Sequence, residues 1–242
     1  MDKGEYTNMY NNEMSHWWYV ILHNLIIQFI KTEFGENKSI SILDAGCGTG
    51  GFLSKLSDYP NKEGFDFSKD AIDFCHQRGL SQCFIQDLNT WKSDQKYDVI
   101  VSSDVLYHKN IMDEQIILNN FYEALNPGGV LILNLPAFEI LKRKHDIVVQ
   151  TKKRFNKNDL LNFHRNSNFN SVNVYYRLPL LFFIVLAQKL REKIKKQNTS
   201  DIGSVSTLLN SFMIKLFIFE NHFFKYKLTL PFGTSVIGVY KK

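Results

Sequence analysis

The chain has 242 residues, 44% hydrophobic and 22% charged, which are globular values and exclude a largely disordered or low-complexity protein. Its formal net charge of +5 is modest and excludes a strongly basic, nucleic-acid-coating chain. Three cysteines, Cys47, Cys75 and Cys83, form no CxxC pair and no Cys/His spacing suited to zinc, so no metal and no disulfide framework is expected, and a reducing, cytoplasmic setting is.

The amino-terminal run MDKGEYTNMYNNEM lacks the charged-then-apolar layout of a secretory signal. Met14 to Phe34 carries Trp18, Leu22, Leu25, Ile26, Phe29 and Ile30 at helical spacing and stops at Gly35, which predicts a helix. SISILDA is a short β-branched strand, and GFLSKLSD after the glycines reads as a helix. KEGFDF is a second strand, and SKDAIDFCHQRG a helix begun at a Ser cap and closed at Gly79. SQCFIQD and YDVIVSSD are the third and fourth strands, the latter with the continuous apolar core of a strand buried on both faces. DEQIILNNFYEAL is an amphipathic helix closed by the turn NPGG, and VLILNLP is the fifth strand. This alternation predicts an α/β, doubly wound, mostly parallel sheet.

Beyond Pro136 the rhythm changes. A basic stretch, LKRKHDIVVQTKKRFNKNDL, leads into a helix, NSVNVYYRL reads as a strand, and two apolar helical segments lie within 178–224. GTSVIGVYKK is the closing strand. The apolar segments LPLLFFIVLA and FMIKLFIFENHFF are too short or too charged to span a bilayer. The stretch 191–203 reads as an exposed loop between them.

A strand ending in an acid, then glycines, then a helix is the layout of a nucleotide-binding crossover, because glycine admits close backbone approach and the helix N-terminus offers free N–H donors. An ordinary βα turn also uses glycine, so the spacing has to decide. Residues 46–51 read GxGxGG rather than the dinucleotide fingerprint GxGxxG, and Asp44 sits at the strand end just before them. A carboxylate there repels a pyrophosphate but suits a cofactor presenting an ammonium group.

The segment ILDAGCGTGGFL resembles the first motif of class I S-adenosylmethionine-dependent methyltransferases, and GFDFS, FIQDLNTW, YDVIVSSDVLYH and ALNPGGVLILNLP resemble the motifs that follow. The resemblance covers about residues 40–136. It implies a seven-stranded Rossmann-like methyltransferase fold with an antiparallel C-terminal hairpin, and S-adenosylmethionine as cofactor. It implies a cradle of Asp44, Gly46, Cys47, Gly48 and Gly50, with Asp66 on the ribose hydroxyls and Phe67 beside it. Asp87 would face the adenine amino group, Leu88 its ring, and Ser103 the fourth-strand loop. The expected division of one domain, 1–242, is a helical lid over 1–38, a cofactor core over 39–136 and an acceptor region over 137–242.

On the acceptor side, His108 is the candidate general base, since neutral imidazole takes a proton from a hydroxyl. A shaping role without proton transfer is the alternative. His145 beside Asp146 is a weaker catalytic candidate or an exposed loop residue. In SHWWY, adjacent helical residues point about 100° apart, so Trp18 is expected in the core and one of His16, Trp17 and Tyr19 in a lid over the pocket. Lys144-His145-Asp146, Lys153-Arg154-Phe155 and LPFGTSVIGVY resemble a subset of these enzymes with an apolar helical C-terminal insertion, although Thr151 or Lys152 stands where that subset has a His and Phe155 where it has a Tyr. The subset's link to lipid, polyprenyl or glycan pathways implies a lipid-linked, glycan or small-molecule hydroxyl acceptor, with an amino group second. The apolar helices with Lys189, Arg191, Lys193, Lys195 and Lys196 read either as packing surfaces or as a peripheral contact with an anionic membrane face.

Two other classes compete: an NAD-type oxidoreductase, opposed by the glycine spacing, and a non-catalytic cofactor-binding protein. No nucleic-acid partner is expected, because SSDV stands where amino-group base methyltransferases keep NPPY or DPPY, and 142–157 has few interleaved aromatics.

Overall fold

The structure, a computed structural model, describes residues 3–192, 206–224 and 230–242, without the side chains of His145, Arg191 and Glu192. Helices α1 (Lys3–Asn12) and α2 (Trp17–Phe34) precede β1 (Ile42–Ala45). Then come α3 (Gly51–Ser54), β2 (Lys62–Asp66), α4 (Lys69–Gln77), β3 (Cys83–Ile85), β4 (Tyr97–Ser103), α5 (Glu114–Ala124) and β5 (Leu125–Pro136). The rest is α6 (Lys144–Val148), α7 (Lys157–Arg165), β6 (Ser171–Arg177), α8 (Pro179–Glu192), α9 (Thr207–Phe224) and β7 (Ser235–Lys241). The seven strands form one sheet in the order β3-β2-β1-β4-β5-β7-β6, parallel except for β7, which runs antiparallel to both β5 and β6. This is the expected Rossmann-like methyltransferase sheet, with helices α8 and α9 inserted before the last strand.

Side chains of successive strand residues leave opposite faces of the sheet. On β4, Ile100 therefore joins the core under α5 and α7 with Phe121, Leu131 and Tyr240, whereas Val99 and Val101 join the core under α2 and α4 with Leu25, Ile26, Phe29 and Ile72. Both faces being covered explains the unbroken apolar run of this strand.

Four elements differ from expectation. The amino-terminal helix is two helices, α1 and α2, separated at Glu13–His16; His16 accepts from the Trp18 N–H (3.3 Å) through Nδ1 and so starts α2 at Trp17 rather than Met14. Helix α3 is a single turn, because the chain leaves it at Lys55 for the Ser57-Asp58-Tyr59-Pro60 bend. Ser68 occupies the N-cap position of α4 without a side-chain capping bond to the helix, while Asp66 takes the Ser68 N–H at 3.0 Å. NPGG lies inside β5 as an irregularity rather than a closing turn: Gly128 N–H reaches Lys242 O at 3.1 Å, and Gly129 O accepts from Lys242 N–H at 3.0 Å. The loop expected over 191–203 lies almost wholly outside the described residues.

Candidate cofactor and acceptor site

Strand order reverses at the β1/β4 pair, and in open parallel sheets ligands settle beyond the carboxyl ends of the strands at such a point. A cavity of about 780 Å³ opens there, lined by the ends of β1, β2 and β4, by α1, the start of α2, the segment after β5, and α8.

The glycine loop leaves β1 and crosses over β2, with the N–H groups of Gly46 and Cys47 donating to Phe65 O at 2.8 and 2.9 Å. Gly46 and Gly48 have φ of +88° and +53°, and a β-carbon at either would meet Val105 or Met9, so these two positions require glycine. Asp66, at the end of β2, is 8% exposed; its Oδ2 accepts from Gly48 N–H (3.1 Å) and its Oδ1 from Ser68 N–H (3.0 Å) and the Tyr6 hydroxyl (3.4 Å). Burial raises its carboxyl pKa in spite of these donors.

Asp44 is buried at 4% exposure and lines the cavity, and among the described residues no donor bonds to its carboxylate. Desolvation holds its carboxyl well above the usual carboxylate range. A ligand cation set against it would return it to the ionised form. An ammonium-bearing cofactor therefore fits this end of the cavity, and a pyrophosphate does not.

The structure brings Asp44, Gly46, Cys47, Gly48, Asp66, Phe67, Asp87, Leu88, Ser103 and His108 to the one cavity. Gly50 stands outside the lining: its φ of +83° serves the turn into α3, and it packs toward Leu80 and Cys75. Asp87 closes its own turn, with Oδ1 accepting from both nitrogens of Asn89 at 2.9 Å. Leu88 is buried and Phe67 exposed, an apolar pair suited to the edges of a flat ring system.

At the other end, His108 accepts no proton readily. Desolvation lowers its pKa to about 4, so the ring is neutral at pH 7. Its Nδ1 lies 2.9 Å from Val149 O, which fixes the proton on Nδ1 and leaves the lone pair on Nε2. Asp104, which follows β4 at a φ of +56°, also lines the cavity; Asn134 Nδ2 bonds both of its oxygens at 3.1 Å, and desolvation raises its pKa to about 6. Asp104 was not among the candidates, because a strained backbone is not legible in a sequence.

The basic stretch after β5 folds over this end. Arg154 grips Asp146 with Nε–Oδ1 at 2.8 Å and Nη2–Oδ2 at 3.0 Å, and Arg143 Nη1 donates to Gln188 Oε1 on α8 at 2.7 Å. All four side chains line the cavity. Asp146 thus pairs with Arg154, and its Oδ2 also accepts from the Arg143 N–H at 2.8 Å; the side chain of His145, on α6, lies outside the described residues. Leu181, Ile184 and Val185 of α8 supply an apolar wall.

The lid expectation needs one change. Trp17 and Trp18 both reach the cavity and both pack against the Ile21–Leu178–Phe217 cluster, together with His16 and Tyr19 on the lining. Their rings stand at 86° to each other, so two adjacent indoles share one apolar surface by different edges. The larger cover is α1, which falls within the helical lid expected over 1–38 but is a helix separate from the one expected over Met14 to Phe34. Glu13 accepts from the Thr49 hydroxyl and from Arg78 Nη2 (2.8 Å), while Arg78 also donates to Thr49 O (2.9 Å) and Tyr10 O (2.7 Å). These partners are 29 to 68 positions apart, a pairing no local pattern announces.

A family model described as a methyltransferase domain matches residues 36–200. The chain belongs to that family. Methyltransferase relatives include the probable tRNA methyltransferase 9B of Mus musculus, 29% identical over 121 residues, covering 50% of this chain and 25% of that protein. They also include the malonyl-[acyl-carrier protein] O-methyltransferase of Bacillus cereus, 26% identical over 137 residues, covering 54% and 50%. The methyltransferase chain thus spans between a quarter and a half of the length of these curated relatives. A Thermotoga maritima structure described as an S-adenosylmethionine-dependent methyltransferase, possibly a histamine N-methyltransferase, superposes with a TM-score of 0.60 at 15% identity over 99% of this chain and 95% of that one. The fold is that of class I methyltransferases, and S-adenosylmethionine is the cofactor of the family. Among the described residues, no helix of this methyltransferase is long and apolar enough to cross a membrane.

Proposed function

We propose that this methyltransferase domain methylates a hydroxyl oxygen on a small-molecule, lipid-linked or glycan acceptor. One observation carries the reading: a single cavity runs from the glycine loop and Asp66 to Asp104 and His108, and on to a wall that is part guanidinium and part aliphatic. S-adenosylmethionine supplies a methyl group made electrophilic by its sulfonium. Asp44 and the loop N–H groups would hold the amino-acid end, Asp66 the ribose hydroxyls, and Leu88 with Phe67 the ring. His108 would receive the acceptor's hydroxyl proton at Nε2, the nitrogen left with its lone pair. A base of such low pKa extracts a proton weakly, so holding acceptor and donor in line supplies most of the acceleration. Arg143 and Arg154 would meet an anionic or polar part of the acceptor, and Leu181, Ile184 and Val185 an apolar one. Residues 1–38 act in this reading as the lid.

The exposed Phe183, Phe212 and Phe219 of α8 and α9 support a peripheral contact with an anionic membrane. The test is incubation with labelled methyl donor against cell extracts separated into metabolite, lipid and RNA fractions. Label in an O-methylated lipid, glycan or metabolite is the expected result. Label in an N-methyl product, or in RNA, overturns the acceptor assignment.

A further inference from the structure

The three cysteines of this chain lie far apart in sequence and on three different elements: Cys47 in the glycine loop, Cys75 in the last turn of α4, and Cys83 at the start of β3. The fold brings all of them to one point. Their sulfurs lie within 4.8 Å of one another, Cys47 and Cys75 at 3.9 Å, and all three residues are buried. Cys75 Sγ also reaches Gly48 O at 3.3 Å.

The Cys47–Cys75 separation of 3.9 Å matches one side of a metal triangle, and the other two pairs lie within 4.8 Å. An ion bound at about 2.3 Å from each sulfur sets the sulfurs about 3.8 Å apart in a tetrahedral site and about 4.0 Å in a trigonal one. A disulfide needs them at about 2.05 Å, and joining two would leave the third thiol beside it unused. One corner of the triangle, Cys47, forms part of the cavity wall, while Cys75 and Cys83 lie behind it. Charge selects the ion: the buried Asp44 carboxylate lines the same cavity as Cys47, so the complex with the smaller negative charge is favoured. Three thiolates leave a net charge of −2 around a monovalent ion and −1 around a divalent one.

We propose that Cys47, Cys75 and Cys83 form a three-thiolate site for a borderline-soft divalent cation, Zn²⁺, with water as the fourth ligand. Binding forms three metal–sulfur bonds and releases the thiol protons to solvent, with no redox change. The ion ties the cofactor loop to α4 and β3, so its occupancy is felt in the cradle that holds the cofactor.

The test uses the full chain, reduced and freed of metal, titrated with Zn²⁺ against a chromophoric chelator and, separately, with Co²⁺. The expected result is one Zn²⁺ per chain, displaceable by excess chelator, and a sulfur-to-cobalt charge-transfer band. X-ray absorption should show three sulfurs at about 2.3 Å. Cys83→Ser and Cys75→Ala should each weaken Zn²⁺ binding at least 100-fold and abolish the band, with far-ultraviolet circular dichroism showing that each variant is folded. A variant that fails to fold is replaced in the comparison by the other, and the sulfur count on the native chain stands independently of both. Zn²⁺ bound with equal affinity by the folded variants, absence of sulfur from the coordination shell, or Cu(I) alone taken up by the triangle overturns the proposal.

Discussion

Asp66 carries two backbone N–H bonds before any ligand arrives, so its carboxylate is already aimed when a ribose enters. Asp66→Ala should cost about 1–3 kcal/mol of S-adenosylmethionine affinity, since two hydroxyls then lose a charged acceptor. Calorimetry giving an unchanged Kd would remove Asp66 from the cradle, and tight NADH binding without S-adenosylmethionine binding would restore the oxidoreductase class. His108 and Asp104 are separable by pH. A base works only when deprotonated, so activity that depends on His108 rises with pH around 4 and is flat above, whereas activity that depends on ionised Asp104 rises around 6. For His108 as base, kcat/KM should show the lower limb, and His108→Asn should reduce turnover about 100-fold or more with cofactor affinity nearly intact. A loss below about tenfold, or a limb near 6 that disappears in Asp104→Asn, moves the role to Asp104 or leaves alignment alone.

Two sets of helices close the site, and each can be tested as an element. Helix α1 is latched by the buried Glu13–Arg78 pair, whose side chains are 4% and 12% exposed. Removing one partner of a buried pair strands the other charge, which costs about 3–5 kcal/mol. Glu13→Gln should therefore lower the thermal midpoint and speed release of bound cofactor; unchanged release with lowered stability would make the pair purely structural. Helices α8 and α9 are partly core: Leu181, Ile184 and Val185 line the cavity, and Phe217, Asn221 and Phe224 are buried on the α2 side. Their outward faces carry Phe183, Phe212 and Phe219 at 61%, 60% and 63% exposure. Phe182 packs on Phe138 and Phe232, and Phe183 also meets Phe232 with one side of its ring. Replacing Phe182 and Phe183 by Ser should weaken flotation with anionic vesicles, and added salt should weaken it for the unaltered protein. Absence of vesicle binding at low salt ends the membrane reading, and collapse of thermal stability assigns both rings to packing.

At the scale of the molecule, what a sequence discloses follows the range of the interaction. The succession of strands, the glycine loop and the acids at the ends of β1 and β2 were legible because short apolar, β-branched runs and a short spaced motif are local. The α1 latch, the positive φ of Asp104 and the meeting of three cysteines were not, because each depends on residues tens of positions apart or on backbone strain. His23 shows the same limit. Helical spacing assigns it only a place on α2, but the fold sets its ring between Tyr19 and Phe52 at 7% exposure, with Nδ1 unpartnered. Burial first, then the Lys55 and Arg177 charges, lower its pKa to about 3. The native chain thus binds fewer protons at this residue than the unfolded chain does. The corresponding stability is complete above about pH 6.5 and is lost as pH falls toward 3. Asp104 acts in the opposite sense, because its raised pKa makes the native state bind more protons between about 4 and 6, so the two must be separated by substitution. In His23→Phe, the loss of stability between about pH 6.5 and 5 should be smaller than in the unaltered protein by up to about 2 kcal/mol, at about 1.4 kcal/mol per pH unit for one proton. Urea unfolding at the two pH values measures the difference, and equal losses in both proteins would mean that His23 is solvated in the native state.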